Sequence, residues 1–353
     1  MNTLSPSLAI CIPTYNRPAS IKNRLNDVHL LKERVSLWIS DNSDNSQTRD
    51  IVENDTYHDI KYHKNAFNIG GGANFISSLQ LDYSEYVWLR GDDDTISQVQ
   101  LVAVKKAIKN QPDVVVLSRH CKKPYLITST RDFFLHFHLT QAAGWLSMVV
   151  FKQRSLKYGL KWGYWGISNG WPHFSLILGI LRDKPNPSCL VYPVSLQSSD
   201  FRENGRKSRT WSFLKTCIEN FPTNFNIIPS ASERKYAFSV WRSVQTRQIL
   251  KTFYRAKIGL APPEHLSVTC LCNLFSIHKP NTWFICFALI ALNLAPSTLL
   301  RVVFVIYSYS LSCEKLTSLE IPELYTLSFA SRYQHIIRAS KDKKFASDPP
   351  AFI

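Results

Sequence analysis

Strand-length apolar runs alternate with helix-length segments over the first third of the chain. Five runs rich in Val, Ile and aromatic residues, bounded by polar or glycine clusters, predict buried strands at Leu8–Ile12, Val35–Ile39, Ile60–Tyr62, Tyr86–Leu89 and Val114–Leu117. Helical spacing between them predicts helices at Ala19–Leu31, Gln47–Asn54, Ala73–Leu81 and Ser97–Asn110. This rhythm favours an α/β fold with a mostly parallel sheet and helices on both faces.

The strand–helix rhythm changes between residues 120 and 205. Trp145–Phe151 and Cys189–Gln197 are predicted to be strands, and His173–Arg182 a helix. A segment rich in aromatic residues and glycine lies between them, with Trp162, Gly163, Tyr164, Trp165, Gly166 and Trp171. Such residues are typical of a surface that stacks on sugar rings, and equally of a packed aromatic core.

Residues 206–353 form a basic region that we expect to be mainly helical. Two strongly apolar segments, Thr282–Ala295 and Leu299–Leu311, are separated by Pro296. Each is shorter than the roughly 20 residues that span a bilayer. A hydrophobic hairpin on a membrane surface and a buried core hairpin both fit this pattern, and a kinked transmembrane helix fits it less well.

Charge is divided unevenly along the chain, which carries 42 Lys and Arg against 26 Asp and Glu. Residues 1–120 hold 13 basic and 14 acidic side chains, so the remainder holds 29 and 12. This asymmetry predicts a neutral-to-acidic catalytic part and a basic part that meets an anionic membrane surface. A solvated basic face is the simpler alternative.

Eight scattered cysteines show no paired CxxC spacing, which favours a reducing compartment. The first residues show no signal-peptide pattern. We therefore expect a cytoplasmic protein that is peripheral to the cytoplasmic face of a membrane.

In an open α/β sheet the ligand binds beyond the carboxyl ends of the strands, so the loops there carry the candidate chemistry. Asp41 follows the second strand and is suited to accept the imide N–H of a pyrimidine base. Three glycines, Gly70–Gly72, follow the third strand and open a helix, where backbone N–H groups can approach phosphate. A tight turn without a ligand is the alternative, and neither a dinucleotide nor a Walker motif is present.

The loop after the fourth strand contains three consecutive carboxylates, Asp92, Asp93 and Asp94. Carboxylates at this spacing repel one another, and a divalent cation removes that cost. Mg²⁺ and Mn²⁺ typically take one or two protein carboxylates together with substrate phosphates. The sequence therefore predicts a metal site that binds a nucleotide diphosphate, with a solvated acidic turn as the alternative.

Together these loops resemble the family 2 glycosyltransferases, whose nucleotide-binding part has the GT-A fold. The resemblance rests on Ile12–Asn16, Ser40–Ser43, Asn68–Gly70 with Asn74, and Gly91–Asp94, in matching order and spacing over residues 6–120. It implies a nucleotide-sugar site built from Pro13, Tyr15, Asn16, Asp41, Asn68, Gly70, Asn74, Asp92 and Asp93. It also implies that Asp94 binds Mn²⁺ or Mg²⁺, with Asp93 sharing the metal function.

The resemblance further implies an inverting enzyme whose carboxylate base lies in a Glu-Asp pair at the start of a helix. Here Pro172 and His173 occupy that place, so His173 is a candidate base or a packed histidine. Asp200, with Glu203, is the second candidate. The implied organisation is a GT-A domain over residues 1–205, with donor binding in 1–120 and the acceptor side in 121–205. The basic region 206–353 follows it.

The predicted function is transfer of a hexosyl or deoxyhexosyl group from a nucleotide-diphosphate donor to a glycan acceptor. We expect a lipid-linked acceptor in surface polysaccharide biosynthesis. The alternatives are a nucleotidyltransferase, for which the Gly-rich, Arg-containing loop after the first strand is missing, and an inactive membrane-surface scaffold. Nucleic-acid binding is not expected, because the basic region carries no recognisable nucleic-acid module.

Overall fold

The computed structural model describes residues 7–57, 59–81, 84–194 and 220–241, all within one compact unit. Its eight strands are β1 Leu8–Thr14, β2 Ser36–Asp41, β3 Ile60–Lys64, β4 Tyr86–Leu89, β5 Val114–Ser118, β6 Tyr125–Ile127, β7 Val149–Lys152 and β8 Cys189–Pro193. They form one mixed sheet in the order β3-β2-β1-β4-β7-β5-β8-β6. Strands β1 to β4 are parallel neighbours, whereas β7 is antiparallel to β4 and β5.

The helices are α1 Pro18–His29, α2 Gln47–Glu53, α3 Gly71–Ser78, α4 Gln98–Ile108, α5 Thr130–Leu135, α6 Phe137–Thr140, α7 Leu156–Trp165 and α8 Pro172–Asp183. Short 3-10 turns lie at Gln141–Gly144, Leu146–Met148, Gln153–Ser155 and Phe221–Ile227, and residues 231–241 are helical. Helices α1 and α4 share one hydrophobic core with the sheet, into which Ile10 and Ile12 of β1 point. Helices α3, α7 and α8 pack together against the other face.

The five predicted strands and the four predicted helices of the first 120 residues are confirmed, with ends that shift by at most three residues. The predicted helix at His173–Arg182 is also confirmed as α8. These elements were predictable because buried strands and amphipathic helices leave a periodic apolar pattern in the local sequence. The α/β fold that the pattern favoured is therefore the fold of the described residues, with a sheet that is parallel from β1 to β4 and mixed beyond β4.

One prediction for residues 120–170 differs from the structure, and several elements there were not predicted. The strand predicted at Trp145–Phe151 begins only at Val149, since Leu146–Met148 forms a 3-10 turn. Helix α7 was not predicted, because Gly159 and its neighbouring glycines lower helix propensity. A Cβ atom on Gly159 would lie 2.5 Å from the carbonyl oxygen of Leu176, so the close crossing of α7 and α8 requires glycine there.

Residues 220–241, which the sequence assigned to the basic C-terminal region, belong to the same unit as the sheet, and Phe221–Ile227 packs on α8. The rings of Phe221 and Phe174 lie 4.7 Å apart, and those of Phe225 and Phe134 lie 5.3 Å apart. Asn224 accepts a hydrogen bond of 2.5 Å from Ser175. The compact unit therefore includes a segment well beyond residue 205.

Asp200, Glu203 and both apolar segments of residues 282–311 lie outside the described residues. The helical character of the C-terminal region and the domain boundary there stay predictions. Within the described ranges, no helix combines the length and the apolar character that a membrane crossing requires.

Candidate active site

The carboxyl ends of four parallel strands meet at one edge of the sheet. The strand register places Thr14 at the end of β1 beside Asp41 of β2, and Asp41 beside Lys64 of β3. Leu89 ends β4 on the other side of β1. The four loops predicted to carry chemistry are therefore neighbours in space.

Asp92 connects the loop after β4 to the loop after β1. It is buried and accepts hydrogen bonds of 2.8 Å from Thr14 Oγ1 and from Arg17 Nη1. The same Arg17 nitrogen lies 3.5 Å from Asp93 Oδ2. Burial raises the pKa of Asp92; Arg17 opposes this shift and the negative charge of Asp93 adds to it. Arg17 thus supplies part, but not all, of the counter-charge that the acidic loop needs.

Asp94 is held from a different direction, by the 3-10 turn before β7. Ser147 Oγ donates to Asp94 Oδ2 and itself accepts a hydrogen bond of 2.8 Å from the Gly91 N–H. The guanidinium of Arg90 is buried and donates to the Ser147 carbonyl at 3.2 Å. Burial raises the pKa of Asp94; the positive charge of Arg90 opposes this shift and Asp93 adds to it. The ionised form of Asp94 is therefore disfavoured in the protein without an added cation.

One oxygen of Asp93 and one of Asp94 approach the same point beside Gly91. A Cβ atom built on Gly91 would lie 2.9 Å from Asp94 Oδ2 and 3.1 Å from Asp93 Oδ1, so both oxygens face the same small space. Asp93 is the exposed member of the pair, with 41% of its side chain accessible. The described ranges contain no cluster of three or more His, Cys, Asp or Glu side chains suited to a metal ion. Asp93 and Asp94 are the carboxylates that would hold a Mg²⁺ or Mn²⁺ ion, which typically takes one or two protein carboxylates together with substrate phosphates.

Asp41, the predicted contact for the nucleobase, is fully buried. Its Oδ1 accepts from the Ser43 N–H at 2.8 Å and from the Ser43 hydroxyl, and its Oδ2 accepts from Tyr62 Oη at 2.8 Å. Lys64 Nζ lies 3.9 Å from Oδ2. Burial raises the pKa of Tyr62, and the hydrogen bond to Asp41 adds to the shift. A base at Asp41 would have to share oxygens that already accept internal hydrogen bonds, and its role in binding stays a prediction.

The other predicted residues of the first loop differ in exposure. Pro13 is buried within β1 opposite Ser40, whereas Tyr15 is 44% exposed. Asn16 has a left-handed backbone with φ of 53°, and its N–H donates to Ser43 Oγ at 2.7 Å. Tyr15 is thus the member of this loop that offers a ring face at the open edge.

The glycine loop after β3 is held by two predicted residues. Gly70 has a φ of 85°, and its N–H donates to Asn68 Oδ1 at 2.9 Å. No atom lies within 4 Å of a Cβ built on Gly70 or Gly71, so the start of α3 is open. Asn74 is buried and binds the end of β2, accepting from Ser40 Oγ at 2.6 Å and donating to the Ser40 carbonyl at 3.0 Å. Asn74 thus fixes the end of β2 through hydrogen bonds to Ser40, and its contact with the nucleotide sugar stays a prediction.

His173, the first candidate base, lies in the first turn of α8 and is buried. Its Nε2 is 3.2 Å from the carbonyl oxygen of Gly144, so Nε2 carries the proton, and the buried Nδ1 has no hydrogen-bond partner. Burial lowers the pKa of His173 to about 4. The imidazole is therefore neutral near pH 7, with an unpaired acceptor at Nδ1. Its role as a base stays a prediction, as does that of Asp200.

Some aromatic side chains around α7 and α8 are packed within the protein, and others are exposed on its surface. Trp162 donates to Asp183 at 2.7 Å and lies under the guanidinium of Arg182. Tyr164 and Trp165 on the same helix are exposed. This aromatic segment therefore contributes both to the core and to the surface, so each of the two interpretations fits some of its residues.

Several residues of the site were not singled out by the sequence: Thr14, Arg17, Tyr62, Arg90, Gly144 and Ser147. Ser147 could not be found from the sequence, because an isolated serine in an apolar run gives no signal. Arg17 directly follows the first motif, but its pairing with a residue 75 positions away could not be seen in the sequence.

Comparison with known proteins agrees with this architecture. Residues 9–178 match the model of the family described as Glycosyl transferase family 2. The abequosyltransferase RfbV of Salmonella typhimurium is 23% identical over 261 residues, which are 62% of this chain and 77% of that protein.

Solved structures show the same fold at low identity. The crystal structure of S. aureus TarS 1-349 in complex with UDP has a TM-score of 0.51 at 11% identity, over 93% of this chain and 92% of that chain. The complex of the same protein with UDP-GlcNAc has a TM-score of 0.50 at 12% identity, with the same coverage. Over residues 9–178, this chain carries a domain of the family 2 glycosyltransferases with the GT-A fold.

Proposed function

We propose that this glycosyltransferase uses a divalent cation to transfer a hexosyl or deoxyhexosyl group, with inversion, from a nucleotide-diphosphate sugar to a glycan acceptor. The observation that carries the proposal is the convergence of Asp93 and Asp94 beside Gly91, at the edge where β1 to β4 end. Two carboxylates facing one small space, one with a raised pKa, suit a cation that bridges protein and diphosphate.

Neighbouring side chains would hold the acidic loop in one conformation before the nucleotide sugar binds. Arg17 and Thr14 fix Asp92, and Ser147 fixes Asp94, so the acidic loop keeps its shape without reorganisation. A bound Mn²⁺ or Mg²⁺ would supply Lewis-acid stabilisation of the departing nucleotide diphosphate.

Inverting transfer also requires a base for the acceptor hydroxyl, and two candidates are proposed. The unpaired Nδ1 of neutral His173 is an acceptor of the required kind, although its low pKa makes it a weak base. Asp200 is the second candidate, on its sequence position alone.

The acceptor is proposed to be a lipid-linked glycan intermediate of a surface polysaccharide, reached at the cytoplasmic face of a membrane. The name of the Salmonella relative, which specifies abequosyl transfer, supports a glycan-assembly enzyme with a deoxyhexosyl donor. The basic residues beyond position 120 support an anionic membrane surface, where each contributes about 1 kcal/mol near the lipid headgroups.

The test is hydrolysis of UDP-, GDP-, dTDP- and CDP-sugars by the full-length protein, with Mn²⁺, with Mg²⁺ and with EDTA. We expect turnover of at least one donor that EDTA abolishes. Asp94→Asn is expected to lower that turnover about 10³-fold, since the Lewis-acid contribution is several kcal/mol.

Asp59→Asn is the matched control. Asp59 precedes β3 at the opposite edge of the sheet, so its neutralisation should leave turnover unchanged. Full turnover in EDTA, or an Asp94→Asn variant as active as Asp59→Asn, would show that the acidic loop does not bind a catalytic cation.

A further inference from the structure

Arg17 lies where helix α1 begins, and its side chain reaches the acidic loop after β4. Its carbonyl oxygen accepts from the Ile21 N–H at 3.2 Å, and Pro18, the first residue of α1, fixes the backbone that follows. The side chain is 32% exposed, so the guanidinium meets solvent as well as the loop. A positive charge on a fixed backbone therefore borders the proposed metal site.

Arg17 contacts two carboxylates of the loop at different distances. Its Nη1 donates to Asp92 Oδ1 at 2.8 Å, whereas the same atom lies 3.5 Å from Asp93 Oδ2. The first is a charge-assisted hydrogen bond, and the second is an ion pair at the limit of hydrogen bonding. Asp92 is buried and also accepts from Thr14, whereas Asp93 is 41% exposed. The contact with Asp93 is therefore the weaker one, and a ligand can replace it.

The two oxygens of Asp93 have different neighbours. Oδ2 lies near Arg17 Nη1, whereas Oδ1 approaches the same point beside Gly91 as Asp94 Oδ2. The Asp93 carboxylate would then lie between the guanidinium and a cation bound at that point. Two positive charges beside one carboxylate repel each other, more strongly at the effective dielectric constant of about 20 near a protein surface than in water. Arg17 and a divalent ion therefore compete for Asp93.

We propose that Arg17 is the counter-ion of Asp93 in the cation-free protein, that it yields this carboxylate to the divalent ion, and that it then donates to the diphosphate of the donor. This inference rests on the proposed transferase function. Both contacts of Arg17 with the described residues use Nη1. The guanidinium thus keeps donors on Nε and Nη2 for a phosphate oxygen while Nη1 holds Asp92.

The charges of the loop favour this order of events. Without a divalent ion, three consecutive carboxylates lie together, and Arg17 contacts two of them. Once a divalent ion occupies the point beside Gly91, Asp93 has a stronger partner than the ion pair at 3.5 Å. The diphosphate then brings oxygens whose charge and geometry suit a guanidinium.

The experiment compares Arg17→Gln and Arg17→Lys with the matched control Arg34→Gln, all in the full-length protein. Arg34 is exposed and precedes β2 at the opposite edge of the sheet. Isothermal titration calorimetry gives the Kd of Mn²⁺ without nucleotide, and the Kd of UDP, GDP, dTDP and CDP with saturating Mn²⁺. Circular dichroism checks that each variant is folded.

Arg17→Gln is expected to bind Mn²⁺ about 10-fold more tightly than the wild type, because the competing positive charge is removed. It should bind the nucleoside diphosphate that the wild type prefers about 10- to 100-fold more weakly, because a charge-assisted hydrogen bond is lost. Arg34→Gln should behave as the wild type in both titrations.

Arg17→Lys keeps the charge but not the planar fork of donors. The Kd of Mn²⁺ should therefore stay within about twofold of the wild type, since the repulsion is retained. The Kd of the nucleoside diphosphate should rise at least about threefold, because one ammonium does not hold a carboxylate and a phosphate in the way a guanidinium does. This variant tests the inference even if Arg17→Gln does not fold.

A role for Arg17 in the structure of the loop alone would weaken Mn²⁺ and diphosphate binding together, and that result would overturn the inference. So would a Kd of Mn²⁺ in Arg17→Gln that equals or exceeds the wild-type value. Diphosphate binding in Arg17→Gln or Arg17→Lys that matches Arg34→Gln would also overturn it.

A wild type that binds none of the four nucleoside diphosphates would contradict the proposed function separately. The titration with Mn²⁺ alone would then still decide whether Arg17 is the counter-ion of Asp93, because it needs no nucleotide.

Discussion

Asp41 and Asp94 both lie at the carboxyl edge of the sheet, yet the protein surrounds them differently. Asp41 is fully buried, and both of its oxygens accept hydrogen bonds from Ser43 or Tyr62. Asp94 accepts from Ser147, but burial and the neighbouring Asp93 still raise its pKa. The fold therefore supplies hydrogen-bond donors to both oxygens of Asp41, whereas it raises the pKa of Asp94.

We infer from this difference that Asp41 mainly stabilises its loop, whereas Asp94 is suited to bind a cation. Internal hydrogen bonds to a buried carboxylate stabilise the folded state, and their loss leaves donors unpaired. A carboxylate with a raised pKa destabilises the folded state when ionised, unless a cation is added. Stability and activity should therefore respond in opposite ways to mutation at the two positions.

The largest stability effect is expected for Asp41→Asn. The amide would place a donor against Ser43 or Tyr62, so we expect the free energy of unfolding to fall by about 3 kcal/mol. Urea denaturation measures it, with Asp59→Asn as the control. Unchanged stability combined with a higher KM for the donor would reverse the comparison and make Asp41 a ligand-binding group.

His173 is a third buried ionisable group, and unlike the two carboxylates it is a base that burial keeps neutral. Its pKa falls from 6.5 to about 4 on folding, so the unfolded chain binds more protons between those pH values. Acidification from pH 6.5 to pH 4 should therefore remove about 3 kcal/mol of stability through His173. Asp92 and Asp94 act in the opposite sense, because their raised pKa values make proton uptake stabilise the folded state.

The measurement is urea denaturation from pH 4 to pH 7 for the wild type, His173→Gln and the exposed control His63→Gln. His173→Gln should lack the loss of stability on acidification that the wild type and the control show. An identical pH dependence in all three proteins would mean that His173 is not held neutral.

The smallest effect is expected for Asp94→Asn without divalent ions. Removing a charge that the fold disfavours should raise the free energy of unfolding, on the order of 1 kcal/mol. Mn²⁺ at 100 times its Kd should stabilise the wild type by about 2.7 kcal/mol and the variant hardly at all. Thermal denaturation with EDTA and with Mn²⁺ checks both expectations. A variant less stable than the wild type in EDTA would place Asp94 in the same class as Asp41.

The fold of the first 120 residues could be predicted, but helix α7 could not. Strand β4 and helix α4 carry their periodic patterns locally, so the sequence alone located them. In α7, Gly159 opposes a helix locally, and the helix exists because it packs on α8 at a distance that glycine permits. Tertiary packing thus overrides the local preference at that position.

The sequence alone determines the strands of the first 120 residues and the acidic run that follows β4, because each depends on consecutive residues. Which acidic side chains already have partners was decided only in three dimensions. Asp92 meets Arg17 from 75 positions away, and Asp94 meets Ser147 from 53 positions away. Contacts at such separations depend on strand order and loop direction, and these are settled by the packing of the whole domain rather than by neighbouring residues.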